Sequence, residues 1–152
     1  AVDPETVATP SFVKSVRKME RFYDLLSESD IVSICAPLTK ETKNLFDLSA
    51  FRQMKSHALL INVTRGRIVN GPDLIRALED GLIGGAGLDV TPEEPLPSDS
   101  PLWDMPNVIV TPHVAGGSPI RQDRTVDLFC QNLERFLSGK PMVSQIDKRK
   151  GY

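Results

Sequence analysis

ALLINVTRGR, at residues 58–67, contains the clearest strand pattern of this chain and the turn that follows it. Its first six residues are apolar at almost every position, which is typical of a strand buried on both faces of a parallel sheet. The pattern that follows predicts a helix over 72–80, because Pro72 suits a first helical turn and Gly81 suits a helix end. Arg65 is therefore expected where a strand passes into a helix, at the edge where open α/β sheets bind ligands.

Strand and helix patterns alternate along the rest of the chain. Further strands are predicted at 1–3, 31–35, 84–90 and 107–111, and helical patterns at 10–28 (in part), 47–54 and 119–138. Such alternation favours a mostly parallel sheet with helices on both faces. The sequence thus predicts an α/β, Rossmann-like doubly wound fold that ends in a long C-terminal helix.

Composition excludes several classes of protein. The 152 residues are 40% hydrophobic and 25% charged, as in one ordinary globular domain. The net charge of -2, with no basic stripe, argues against a nucleic-acid partner and an anionic membrane surface. No signal peptide and no run of about 20 apolar residues is found, so no membrane partner is expected.

The two cysteines indicate a reducing compartment. Cys35 and Cys130 are too few and too far apart for a disulfide framework or a zinc cluster, and no metal site is predicted. We expect both to be small buried side chains in a cytoplasmic protein. A catalytic thiol is the less favoured alternative.

Polar or turn-forming residues follow each predicted strand. They are Asp3, then Cys35-Ala36-Pro37, then Thr64-Arg65, then Asp89, then His113. The carboxyl ends of parallel strands meet at one edge of a sheet, so these residues are expected to gather there. Five such coincidences are harder to explain as solvated loops than one.

These residues also carry chemistry. The imidazole of His113 titrates near neutral pH and suits general acid–base work, although a structural histidine is the alternative. A carboxylate beside it would orient the ring and raise its pKa, and spacing does not choose between Glu93 and Glu94. Arg65 can bind a carboxylate or phosphate through two parallel hydrogen bonds, or it can lie solvated in a loop. Together they predict a site for an anionic small molecule with a proton to move.

Four blocks, at 36–45, 62–66, 87–97 and 111–117, resemble the signature blocks of one enzyme family. This is the family of NAD-dependent D-isomer-specific 2-hydroxyacid dehydrogenases, and the resemblance runs in the family's order from Asp30 to about Lys140. It implies hydride transfer between NAD and the C2 atom of a 2-hydroxy or 2-oxo acid. Which acid is used stays open.

The resemblance implies a role for each catalytic residue. Arg65 matches the residue that grips the substrate carboxylate and polarises the 2-oxo group. His113 matches the acid–base that exchanges the hydroxyl proton. Glu94, which directly precedes Pro95, matches the partner of that histidine.

By the same resemblance, the cofactor contacts fall on nine residues. They are Asp3, Cys35, Pro37, Val63, Thr64, Arg65, Asp89, His113 and Gly116. Asp3 would hold the adenosine ribose hydroxyls and repel a 2′-phosphate, which favours NAD over NADP. Asp89 would lie near the nicotinamide amide, although it could simply cap the next turn.

The chain also departs from the family's pattern. Members have two domains, whereas no Gly-rich phosphate turn and no first nucleotide-domain strand precede Asp3 here. We therefore expect a partial NAD-binding domain over 1–118, with two strands on one side of the gap and three on the other. Residues 119–152 would be a long helix and tail that return to an absent substrate domain. The parent is expected to be a longer, homodimeric enzyme; a catalytically silent NAD-binding scaffold or corepressor-like relative is the alternative.

Overall fold

The computed structural model describes residues 1–5 and 7–149. The chain divides into two compact units, Ala1–Pro112 and His113–Tyr152. The first unit holds the sheet and the second holds the long helix. The domain boundary at residue 118 stays a prediction. In the described part of the chain, every helix is too short or too polar to cross a membrane.

The first unit is built on a four-stranded parallel sheet, as the alternation predicted. Its strands are β1 (Ile31–Ile34), β2 (Leu59–Asn62), β3 (Gly85–Leu88) and β4 (Val108–Val110), in the order β1-β2-β3-β4. The register aligns the last residue of each strand in one row, Ile34, Asn62, Leu88 and Val110. The four carboxyl ends therefore form one straight edge.

Helices connect the strands. The α-helices are α1 (Phe22–Glu28), α2 (Leu48–Gln53), α3 (Gly71–Glu79) and α4 (Arg121–Leu137), with 3-10 turns at Met19–Arg21, Gly66–Ile68 and Pro101–Trp103. Asp47 caps α2 by accepting a hydrogen bond from the Ala50 N–H at 2.9 Å. Asn70 caps α3 in the same way, and Gly81 leaves α3 at a φ of +66°.

The core of the first unit lies between the sheet and the helices α1, α2 and α3. Phe51 of α2, Leu60 of β2 and Leu74 of α3 are completely buried. Burying a side chain of this size stabilises the fold by about 1.5–3 kcal/mol. The sheet is thus fixed by the buried apolar side chains of α1, α2 and α3, and its carboxyl edge is left for other contacts.

The first segment differs from the prediction. Val2 forms an isolated parallel bridge with Arg17, outside the four-stranded sheet. The Asp3 N–H donates to the Arg17 carbonyl, and the Arg17 N–H donates to the Ala1 carbonyl, both at 2.9 Å. These backbone groups pair with each other and not with β1. The prediction of two strands on one side and three on the other is therefore wrong, because the described sheet holds four neighbouring strands.

The helical pattern over 10–28 forms a helix only in its second half. Arg17 is held extended by its bridge to Val2, so the first helical turn begins at Met19. Phe12 lies before that turn and is 89% exposed. The partly helical expectation is confirmed, with the tertiary bridge setting the start.

The prediction that both cysteines are buried is wrong. Cys35 and Cys130 are exposed. Cys35 comes directly after β1, where the chain has left the sheet interior, and its Sγ lies 3.7 Å from the Ser33 hydroxyl. Cys130 lies on α4, whose apolar side chains are exposed in the second unit.

A cluster at the amino end of β1 gives a first testable prediction. Asp30 accepts hydrogen bonds from Lys55 Nζ at 2.8 Å and His57 Nε2 at 3.0 Å, and His57 is exposed. Chiefly through the Lys55 hydrogen bond, and then that of His57, the pKa of Asp30 is lowered from its ordinary value of 3.8. Because the folded-state pKa is depressed, this stabilisation is present above that value and is lost as the pH falls through the folded pKa.

Replacing Asp30 by asparagine is thus expected to lower Tm at pH 7 by about 2 °C or less, since the cluster is exposed. The difference should shrink as the pH falls below the lowered pKa. Thermal unfolding at several pH values measures it, with Asp99→Asn in an exposed loop as the control. An Asp30 effect that grows on acidification would contradict this assignment.

Candidate functional site

The carboxyl edge of the sheet brings several predicted residues side by side. Cys35, Val63, Asp89 and Thr111 each come one position after the aligned row of strand ends. Cys35 and Val63 are exposed there, as is Pro37 a little further on, whereas Asp89 is buried. The structure therefore gathers three predicted cofactor contacts, on neighbouring strands, into one continuous row.

The turn that carries Arg65 is held by hydrogen bonds to a buried side-chain amide. Asn62, the last residue of β2, is completely buried. Its Nδ2 donates to the Arg65 carbonyl at 3.0 Å, and its Oδ1 accepts from the Thr64 N–H and hydroxyl, both at 3.2 Å. The chain direction after β2 is thereby fixed at two successive residues.

The side chain of Arg65 is exposed at this edge. Its Nη1 donates to the carbonyl of Thr64 at 2.7 Å. Across residues 1–5 and 7–149 it forms no ion pair with a carboxylate. A guanidinium of this kind keeps donors for an incoming anion.

The Arg65 turn is in close contact with the loop that carries Glu94. A Cβ atom added at Gly66 would lie 1.7 Å from the Thr91 carbonyl oxygen, so only glycine allows this approach. Thr91 in turn donates its N–H to Glu94 Oε1 at 3.3 Å and its hydroxyl to the Glu93 carbonyl at 2.6 Å. The two loops are therefore brought together through backbone contact.

Asp89 is a buried carboxylate at the end of β3. It is 5% exposed, and its Oδ1 accepts from the Thr111 hydroxyl at 2.6 Å. Its backbone N–H donates to the Asn62 carbonyl at 2.9 Å. A buried carboxylate needs such partners, and these bonds hold it at the edge of the sheet.

Asp3 lies outside the sheet but within the first unit. It is half-buried, and its Oδ1 accepts from the Glu5 N–H at 2.8 Å. This bond closes a turn directly after the Val2–Arg17 bridge. The contact between Asp3 and a ribose stays a prediction.

His113 and Gly116 lie in the second unit. His113 is its first residue, is exposed, and has a φ of 56°, in the left-handed region that few side chains adopt. Gly116 has open space around the position of a Cβ atom. The pairing of His113 with Glu94 stays a prediction. The described residues contain no group of three or more metal-binding side chains suited to an ion.

Sequence reasoning missed three residues that shape this site: Asn62, Thr91 and Thr111. Asn62 did leave a signal, because it is the one polar residue in an otherwise apolar run. Thr91 and Thr111 left none, since Thr91 lies against Gly66 and Thr111 donates to Asp89, and both contacts join segments far apart in the sequence.

A parallel α/β sheet whose carboxyl edge presents backbone, a buried carboxylate and an exposed arginine defines the chain as a Rossmann-like nucleotide-binding domain. The sequence profile described as "D-isomer specific 2-hydroxyacid dehydrogenase, NAD binding domain" matches residues 1–115. The chain belongs to this family of oxidoreductases. The match to an NAD-binding domain supports NAD as the cofactor.

Curated relatives agree with this family. The chain is 43% identical over 120 residues to a glycerate dehydrogenase of Methylorubrum extorquens, covering 77% of this chain and 38% of that protein. It is 43% identical over 124 residues to a glyoxylate reductase of Thermofilum pendens, covering 82% of this chain and 37% of that protein. The chain thus spans less than half the length of these relatives.

Solved structures show the same fold. A D-isomer specific 2-hydroxyacid dehydrogenase from Xanthobacter autotrophicus, in complex with NADPH and MES, superposes with a TM-score of 0.84 at 38% identity, covering 96% of this chain and 61% of that one. A glyoxylate/hydroxypyruvate reductase from Sinorhizobium meliloti, in complex with NADP and sulfate, gives 0.87 at 31% identity, covering 99% and 48%. The NADP and NADPH in these complexes make NADP plausible beside NAD.

Proposed function

We propose that this chain is the nucleotide-binding part of a dehydrogenase that transfers hydride between NAD and the C2 atom of a small D-2-hydroxy or 2-oxo acid. The observation that carries the proposal is the exposed Arg65 guanidinium, without an ion pair in the described chain, on a turn anchored at the carboxyl edge. The whole protein is proposed to be longer, cytoplasmic and homodimeric, as the family resemblance implies.

Arg65 would recognise the substrate by its carboxylate. Two parallel N–H groups of a guanidinium match the two oxygens of a carboxylate, and a charge-assisted pair of this kind is stronger than a neutral one. A third donor of the same group can polarise the neighbouring 2-oxo group. Arg65 follows β2 directly after Val63 and Thr64, which are predicted cofactor contacts, so substrate and cofactor would meet at this edge.

His113 would exchange the proton of the substrate hydroxyl, with Glu94 orienting the ring. Support for Glu94 over Glu93 comes from the Thr91 N–H, which donates to the Glu94 side chain, whereas Thr91 contacts only the backbone carbonyl of Glu93. Glu94 is therefore the glutamate whose side chain is tied to the Arg65 side of the site.

The residues present fit a dinucleotide cofactor. The carboxylate of Asp3 is an acceptor for ribose hydroxyls, with Oδ1 already oriented by Glu5. Val63 is exposed directly after β2, so the backbone there is accessible to a ligand. When bound, NAD would supply the hydride acceptor. The chain's own residues would hold it, orient the acid and move the proton.

The direct test measures binding of 2-oxo acids in the presence of NADH. We expect this chain, saturated with NADH, to bind oxamate, a small unreactive 2-oxo acid analogue, with a heat that calorimetry detects. A panel of glyoxylate, hydroxypyruvate and pyruvate then ranks the substrates. A chain that binds NADH and none of these acids would favour the catalytically silent scaffold instead.

Asp3 gives a prediction on cofactor choice. Replacing it by alanine removes acceptors for the ribose hydroxyls and also the charge that repels a 2′-phosphate. The ratio of the NADPH to the NADH dissociation constant is expected to fall by about tenfold or more, which is the effect of one charge-assisted hydrogen bond. Fluorescence titration with both cofactors measures the ratio. Asp99→Ala in an exposed loop should leave it unchanged, and an unchanged ratio in the Asp3 variant would contradict the assignment.

A further inference from the structure

We propose that Asn62 is the positioning residue of this site. The nitrogen of its buried amide positions the residue that binds the acid, and the oxygen positions a residue that contacts the cofactor. Its Nδ2 fixes the Arg65 turn for the acid, and its Oδ1 fixes Thr64 on the cofactor side. This inference rests on the proposed function and assigns to Asn62 a role in it. Asn62 itself contacts neither ligand in this account and acts through its neighbours.

Burial shows that the amide is present for its hydrogen bonds. Asn62 is completely buried at the end of a strand in which Leu60 is equally buried. An apolar residue would fill the same space without the cost of burying a polar group. The amide is tolerated because it makes three hydrogen bonds within three residues of its own position. All three close the turn that leads to Arg65.

The Arg65 carbonyl is held from two sides. It accepts from Asn62 Nδ2 at 3.0 Å and from the Ile68 N–H at 3.3 Å. Gly66, between Arg65 and Ile68, lies against the Thr91 backbone. The amide is thus the contact that fixes the first half of the turn, where the arginine leaves the strand. Without the Asn62 amide, the Cα–Cβ direction of Arg65 would be set only by the second half of the turn, Gly66–Ile68.

The chemistry of aspartate allows the two roles to be separated. In Asn62→Asp the acceptor oxygen toward Thr64 is kept, and the donor toward the Arg65 carbonyl is lost when the carboxyl is ionised. In Asn62→Ala both are lost. A residue that merely stabilises the fold would affect both ligands alike in either variant.

The test uses the chain with NADH and oxamate. Asn62→Asp is expected to weaken oxamate binding by about tenfold or more, as for a lost buried donor, and to change the NADH dissociation constant by less than about threefold. Asn62→Ala is expected to weaken both. Asn107→Asp is the matched control: it removes a similar amide-to-carbonyl bond, to Gly84 at 3.2 Å, at the amino ends of β3 and β4. It should change neither. Equal losses for both ligands in Asn62→Asp, or unchanged oxamate binding, would overturn the proposal.

A measurement without ligand separates the positioning role of Asn62 from the proposed function of the chain. Hydrogen exchange of the Thr64 amide is expected to accelerate about tenfold or more in Asn62→Ala and to stay slow in Asn62→Asp, because Oδ1 accepts that N–H. Unchanged exchange in Asn62→Ala would show that the Asn62 amide does not hold Thr64, and would overturn the proposal. If the exchange behaves as expected but the wild-type chain binds NADH and not oxamate, the proposed function fails, and the positioning role fails with it.

Discussion

Replacing Arg65 by glutamine is expected to weaken oxamate binding to the NADH-loaded chain by about 100-fold. Two hydrogen bonds to a charged group, at about 1.5–3 kcal/mol each, more than account for a loss of this size. Glutamine keeps a polar side chain but has neither the positive charge nor the two parallel N–H donors of the guanidinium. Arg65→Lys keeps the charge and should fall between the two, since a lysine cannot bind a carboxylate bidentately. Calorimetry at fixed ionic strength measures all three proteins.

Arg67→Gln is the matched control for this experiment. Arg67 is exposed and lies two residues further on, in the same turn, so the substitution removes the same charge. A nearby charge that makes no direct contact is largely screened, and a change of less than about threefold is expected. If Arg67→Gln weakened binding as much as Arg65→Gln, the site would recognise net charge. Arg65 would then have no specific role.

Replacing Gly66 by alanine is expected to have the largest effect on stability. The new Cβ atom would lie 1.7 Å from the Thr91 carbonyl oxygen and 2.1 Å from its carbon, so backbone must move. Forced shifts of this kind cost about 1–3 kcal/mol or more. The movement would also separate the Arg65 turn from the loop of Glu94, so oxamate binding should fall together with stability. Urea unfolding measures the first effect and calorimetry the second.

Gly116→Ala is the control for the stability measurement. A Cβ atom at Gly116 meets open space, and its φ lies outside the left-handed region. The free energy of unfolding should change by less than about 0.5 kcal/mol, as for an ordinary surface substitution. If Gly66→Ala were as harmless as Gly116→Ala, the close contact between the two loops would be contradicted.

The strands and helices that could be predicted from sequence are those with strong local signals. The apolar run before Asn62 predicted a buried strand, and Asp47 predicted a helix start. The strand and the helix start are confirmed, because an apolar run and a side-chain cap are encoded in a few adjacent residues. The expected burial on both faces is wrong: Leu60 and Asn62 are buried on one face, whereas Leu59 on the other face is 40% exposed. The place of residues 1–3 in the sheet and the burial of Cys35 were predicted wrongly, since the first depends on a bridge to Arg17 and the second on where β1 ends. Both features are set by the tertiary structure and cannot be predicted from the neighbouring residues in the sequence.

The features of the candidate site also fall into those that the local sequence predicts and those that depend on tertiary contacts. Arg65 and Asp89 could be located because they follow strands, and the ends of parallel strands must share an edge. The contact of Gly66 with Thr91 could not be predicted, as it joins residues 25 positions apart through backbone atoms. The bond from Thr111 to Asp89 spans 22 positions and was equally hidden. Choosing Glu94 over Glu93 needed the family resemblance, and the structure supports it through one hydrogen bond from Thr91.

Above all, we infer that this chain binds a nicotinamide dinucleotide at the carboxyl edge of its sheet. Trp103 is the only tryptophan and lies in the first unit, where its indole N–H donates to the Pro97 carbonyl at 2.9 Å. The most direct measurement is a titration of the chain with NADH that follows energy transfer from this tryptophan. Saturable quenching of Trp103 with enhanced nicotinamide emission, at NADH concentrations below about 1 mM, is the predicted result. No saturable change over that range, in a sample that unfolds cooperatively, would contradict the claim.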